Sequence, residues 1–104
     1  MAEKSFFEIL NEEAPAVSKA FFELGGAIAK DAGLDEKTFQ LCYIAISAHK
    51  SNVGSVRGHA GLAKKAGATR AEVRGAVLVS LMTDGIQGTS NCIAAALEGY
   101  DSAE

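Results

Sequence analysis

At 104 residues the chain has material for one domain, and with 48% hydrophobic and 22% charged residues it has the composition of a core-forming globular protein, which excludes a disordered segment. The net charge of −3, with Lys64-Lys65 the only adjacent basic pair, leaves no electrostatic footprint for nucleic acid or an anionic membrane surface, so neither partner is expected. No apolar run reaches transmembrane length, and Met1-Ala2-Glu3-Lys4-Ser5 lacks the charged-then-apolar layout of a secretion signal, so a cytoplasmic protein is expected.

Helix signals run from end to end, and no stretch alternates apolar and polar residues as a half-buried strand does. The expectation is an all-α fold of about six helices, a single domain over residues 1–104. A short first helix is read from Ser5 to Glu12, with Phe6, Phe7, Ile9 and Leu10 apolar. Pro15 suits the first turn of a second helix, where its missing N–H removes no bond; that helix carries Val17, Phe21, Leu24 and Ile28 and ends near Gly33. Asp35 can cap a third helix, since its carboxylate accepts from the free N–H groups of the first turn and meets the positive end of the dipole. This helix runs to about Lys50. Its segment Phe39 to Ala48 is apolar on nearly every face, which calls for cover all round from a second helix layer or a neighbouring subunit.

Ser51 or Asn52 opens a fourth helix, and Gly67 closes it as a left-handed residue. Thr69 and Glu72 form a capping box for the fifth, where loss of the Thr69 hydroxyl costs ~1 kcal/mol. Val73, Val77, Leu78, Leu81 and Met82 supply its apolar side. A break at Asp84-Gly85 precedes a sixth helix from about Thr89 to Leu97, and Asp101-Ser102-Ala103-Glu104 reads as a frayed tail. Gly25-Gly26 reads as close packing between helices and Gly85-x-x-Gly88 as an interhelix turn; neither follows a strand or precedes a Gly-Lys-Ser/Thr step, so no phosphate loop is implied.

Cys42 and Cys92 each stand amid apolar neighbours and read as buried thiols. Two His and two Cys without paired spacing give no zinc signature, and neither a metal nor a cofactor is expected. The informative feature is a polar stripe on the fourth helix: Asn52, Ser55 and His59 lie one turn apart, so they share a face and can line one wall of a pocket. This frame has the shape of a Cys-x-x-Cys-x-x-x-His redox site with both cysteines absent.

From Leu34 to about Ala95 the sequence resembles the carboxymuconolactone decarboxylase family, which also includes the alkylhydroperoxidase D-like proteins. The likeness is carried by Leu34-Asp35-x-Lys37-Thr38, the apolar helix ending Ala45-Ile46-Ser47-Ala48, the stripe ending in His59, and Lys65-Ala66-Gly67-Ala68-Thr69-Arg70-Ala71-Glu72-Val73. In the peroxidase branch the motif has two cysteines before its histidine and a glutamate on the preceding helix. Carried onto this chain, the histidine falls on His59, the cysteine positions on Ser55 and Asn52, and the glutamate position on Gln40. The decarboxylase branch is similar in lacking the cysteine pair, and its Arg-x-His step is matched by Arg57-Gly58-His59. The resemblance implies an all-helical subunit assembling into homo-trimers or hexamers.

Peroxide reduction needs a thiolate to attack and a second thiol to resolve the sulfenic acid, and Ser55 and Asn52 can do neither. His59 is the candidate general acid or base; the plainer reading is a histidine hydrogen-bonded in a helix interface. Gln40 can hydrogen-bond a substrate but cannot take a proton, and Arg57 can hold a carboxylate through both nitrogens unless it is a solvated charge or an intersubunit ion pair. Tyr43 reads as a proton donor or, more plainly, a packed aromatic. His49 and Lys50 are accounted for by the dipole at a helix C-terminus. The leading expectation is a lyase-type family member that moves a proton at His59 on a small carboxylated or lactone substrate, oriented by Gln40, Asn52, Ser55 and Arg57. The alternative is a non-catalytic oligomeric ligand-binding or scaffold protein, with thiol peroxidase activity the least favoured.

Overall fold

The computed structural model describes residues 3–104; Met1 and Ala2, part of the stretch read for a secretion signal, lie outside the described residues. It contains α1 (Phe6–Glu13), α2 (Pro15–Asp31), α3 (Glu36–His49), α4 (Val53–Lys65), α5 (Arg70–Thr83) and α6 (Ile86–Ser102), and no strand among the described residues. The fold is all-α, and among the described residues no helix is long and apolar enough to cross a membrane. Contacts divide the chain into two units, one ending at Gly33 and one from Leu34 to Glu104.

In the first unit Ser5 caps α1 by accepting from the Glu8 N–H, and Pro15 sits in the first turn of α2. The pair is held by aromatic edges and faces: Phe7 lies 6.0 Å from Phe21 and 5.4 Å from Phe22, ring centre to ring centre. The expected close packing at Gly25-Gly26 is absent within the described residues, since a Cβ at either would meet nothing within 4 Å.

The second unit is a four-helix arrangement in which α3 and α6 each pack against both α4 and α5, while α4 and α5 barely meet. Its core is made of small and medium side chains: Ile44 and Ala48 from α3, Val56, Ala60 and Ala63 from α4, Val73 and Val77 from α5, Cys92 and Ala96 from α6. The starts of α3, α4 and α5 are capped as the sequence suggests, whereas α6 starts at Gly85 without a side-chain cap. Asp35 accepts from the Thr38 N–H, Asn52 from the Ser55 N–H, and Thr69 and Glu72 form the reciprocal box at 3.1 and 2.9 Å. Gly67, at φ +95°, occupies the left-handed conformation after α4 that a side chain would strain.

Four further expectations need correction. The sixth helix begins at Ile86, directly after Gly85 at φ +83°, and continues to Ser102, so it is longer at both ends than its hydrophobic pattern suggested. Gly88 is therefore a helical residue rather than part of a turn. The expected frayed tail is tied down instead: the Arg70 guanidinium donates to both oxygens of Asp101 at 2.9 and 3.1 Å, and Lys64 donates to the carbonyls of Tyr100 and Ala103. Cys42 is exposed, because it stands on the side of α3 that no other helix of this unit covers, whereas Cys92 is buried in the core.

Close approach of α6 depends on two glycines. A Cβ at Gly99 would run into the Arg57 carbonyl oxygen of α4, and one at Gly88 into the Ala48 carbonyl of α3; both obstacles are backbone and cannot swing away. Gly99→Ala is therefore expected to lower stability by about 1–3 kcal/mol through overpacking, read as a fall in the urea midpoint. Gly58→Ala, in the same helix as Arg57 but facing open space, is expected to raise it by up to about 1 kcal/mol.

Candidate functional site

The site is built by the reversal between α3 and α4. Lys50 ends α3, Ser51 adopts φ +55°, and Asn52 begins α4, with its N–H donating to the Ser47 carbonyl at 2.9 Å and its Oδ1 accepting from the Ser55 N–H at 3.2 Å. Left-handed geometry in a residue other than glycine is uncommon and costly. It sends α4 back antiparallel to α3, so Gln40, Tyr43 and Ser47 on one helix meet His59 and Ser55 on the other.

Polar groups pair across this seam in order of distance from the turn. Nearest the turn, the Ser47 and Ser55 hydroxyls lie 3.1 Å apart. Farther on, the Tyr43 ring stacks on the His59 imidazole, with centroids 3.6 Å apart and planes 15° apart. At the far end His59 Nδ1 lies 2.7 Å from Gln40 Oε1, and Gln40 Nε2 donates to Glu36 Oε1 at 3.0 Å. An amide oxygen has no proton to give, so His59 Nδ1 carries the hydrogen and Nε2 carries the lone pair. Nε2 has no hydrogen-bond partner among the described residues. Burial pushes the His59 pKa below its ordinary 6.5, and the neutral Gln40 brings no charge to offset this.

A cavity of about 330 Å³ opens beside the seam, lined by Tyr43, Ile46, Ser47, Lys50, Asn52 and Ser55. Its surface is more apolar than polar, with the Ser47 and Ser55 hydroxyls, the Asn52 amide and the Lys50 side chain set beside Ile46 and the Tyr43 ring. Among the described residues no three His, Cys, Asp or Glu side chains stand together as a metal site would require.

The carboxymuconolactone decarboxylase family model matches residues 15–98, more than half of the chain. The chain belongs to this family. No curated protein and no solved structure matches it. Gln40, Ser55 and His59, which the family resemblance singled out, do converge on the α3–α4 seam, and Asn52 caps its end. Arg57 does not join them. It lies on the other side of α4, where its guanidinium pairs with Glu98 of α6 at 3.2 Å. Ser47 and Lys50 were not read as site residues in the sequence, yet both line the cavity. The signal for Ser47 was present: Gln40, Tyr43 and Ser47 form a polar stripe at helical spacing through an otherwise apolar helix.

The lowered His59 pKa gives stability a defined pH dependence. The unfolded chain takes up this proton at 6.5 and the folded chain only at lower pH, so stability is full above 6.5 and falls as pH drops through the window beneath it. An NMR titration of the His59 ring is expected to show a midpoint below 6.5, and His59→Gln is expected to flatten that part of the stability profile.

Proposed function

We propose that this family member acts on a small carboxylated or lactone substrate held in the cavity beside α3 and α4, with His59 moving a proton through Nε2. The observation that carries the reading is the 2.7 Å contact between Gln40 Oε1 and His59 Nδ1, which presents a neutral, oriented imidazole with its basic nitrogen unengaged. A neutral imidazole can take a proton from a carbon acid and return it to carbon, which is general base and then general acid work. Neither His59 nor Gln40 is among the residues that line the cavity; the Tyr43 ring, which stacks on the imidazole, is, and in this reading the substrate reaches Nε2 past that ring.

The remaining cavity groups suit an oxygen-rich ligand. Asn52 commits its Oδ1 to the Ser55 N–H, so its amide N–H₂ is available to donate, and the paired Ser47 and Ser55 hydroxyls can each turn a proton or a lone pair inward. The cation for a substrate carboxylate is Lys50 at the rim, not Arg57, which is engaged with Glu98. Thiol chemistry has no pair to work with: the motif positions are Asn52 and Ser55, Cys42 is on α3, and Cys92 is in the core, where burial pushes its thiol pKa up.

The working unit in this reading is a homo-oligomer, a trimer or hexamer. Ile46 on α3 is 64% exposed, and at the α5–α6 corner Met82 and Ile86 are 86% and 75% exposed, beside Leu78 and Leu81. Apolar side chains contiguous on a surface mark a buried partner face. The alternative, a scaffold that binds without turnover, is favoured by the replaced motif residues, an amide at the glutamate position Gln40 and Asn52 and Ser55 at the cysteine positions.

Two measurements test the reading. Assayed on a panel of small carboxylated lactones, His59→Gln is expected to keep its fold and lose about 100-fold or more in kcat, whereas Lys50→Met is expected mainly to raise KM. Unchanged turnover in His59→Gln removes the catalytic assignment and leaves the scaffold reading. Light scattering at micromolar concentration is expected to give the mass of three or six chains, and Met82→Asp to shift it downward; a monodisperse species of 10.8 kDa rejects the oligomer.

A further inference from the structure

We propose that Glu36 is a positioning residue for His59: by accepting from Gln40 Nε2 it orients the amide, and the amide in turn fixes the imidazole hydrogen on Nδ1 and leaves Nε2 as the basic nitrogen. The two ends of a glutamine amide are nearly the same size but opposite in hydrogen-bonding sense. With Oε1 toward His59, Nδ1 must donate. With the amide reversed, Nε2 of Gln40 would donate to Nδ1, and the imidazole hydrogen would move to its own Nε2. Which nitrogen of His59 is basic is thus decided by the direction in which Gln40 points.

Gln40 is only 6% exposed, so bulk water has little access to settle that direction. Glu36 does settle it. It precedes Gln40 by one helical turn, where side chains at this spacing meet, and its carboxylate accepts from Gln40 Nε2 at 3.0 Å. An ionised carboxylate has no proton to donate, so the reversed amide would set Oε1 against a second acceptor and lose the bond. Sequence reading gave Glu36 no role. The seam gives it one: a carboxylate that acts on the imidazole through the intervening amide without touching it.

The inference rests on the reading of His59 as the proton-moving group, but its test needs no substrate. Long-range ¹⁵N–¹H NMR at alkaline pH distinguishes the two neutral tautomers of a histidine directly. The intact protein is expected to show His59 protonated at Nδ1. Glu36→Gln, whose amide can accept from Gln40 or donate to it, no longer dictates the direction and is expected to reduce the Nδ1-protonated share. Glu36→Lys, which can only donate, is expected to reverse the amide and move the hydrogen to Nε2; Glu36→Ala, if the lysine variant does not fold, is expected to reduce the Nδ1-protonated share. A general loss of stability from removing a first-turn carboxylate would not move the ring hydrogen from one nitrogen to the other. An Nε2-protonated His59 in the intact protein, or an unchanged tautomer in both Glu36→Lys and Glu36→Ala, overturns the proposal while leaving proton transfer by His59 standing. Conversely, a tautomer that follows Glu36 together with full turnover in His59→Gln would uphold the positioning role and reject the catalytic one.

Discussion

The placement of the polar groups on α4 follows from how this helix is gripped on both sides. On one side α6 comes so close that Gly99 lies against the Arg57 carbonyl, with Gly61 and Lys64 continuing the same line toward Ala103 and Tyr100. Because an α-helix turns 100° per residue, a position two residues away looks out about 200° around the axis. Arg57, Gly61 and Lys64 face α6, so Asn52, Ser55 and His59 must face α3. The same rotation explains why Arg57 cannot join His59 in one pocket, although the two are neighbours in an Arg-x-His step. A motif read as a string puts residues together that a helix sends to opposite sides.

Local chemistry made most of the fold legible. Ser5, Asp35, Asn52 and Thr69 each begin a helix as their side chains allow, and Gly67 ends one in the conformation only glycine takes without strain. What the sequence concealed depends on partners far along the chain. The end of α6 looks polar and free, yet Arg70 and Lys64 hold it from other helices. Gly88 looks like a turn residue because glycine is a poor helix former; it lies inside α6, where its missing Cβ lets the helix approach the Ala48 carbonyl. Cys42 lies in an apolar run, and that run is longer than the neighbouring helices of the unit can cover, so its far side, with Cys42 and Ile46, is exposed.

At the site, the helix period placed the stripe correctly and the resemblance supplied its opposite number at Gln40. The cross-helix details were not readable, because they depend on the register set by the Ser51 turn. That register puts Ser47 against Ser55, Tyr43 against His59, and leaves Lys50 at the cavity rim. Lys50 was explained by the helix dipole alone; an exposed cation at a helix end can satisfy the dipole and a ligand at once, and only the cavity distinguishes the two.

The amide at position 40 bears on what kind of histidine His59 is. A carboxylate there would place a negative charge beside Nδ1 and favour the imidazolium, raising its pKa. The amide supplies the same hydrogen-bond acceptor at 2.7 Å without the charge, so burial prevails and the ring stays neutral. The negative charge has not left the seam altogether; it stands one turn away on Glu36, where it acts on the orientation of Gln40 rather than on the charge of His59. Moving a carboxylate from direct contact to the far side of an amide therefore exchanges an ion pair for an oriented neutral base. A site that needs a thiolate benefits from a charged histidine beside it, whereas a site that must pull a proton from carbon does not. The absence of both motif cysteines and the amide at Gln40 agree with one another on that ground: each takes away a part that thiol chemistry would use, and the seam that is left holds a neutral imidazole beside a polar wall.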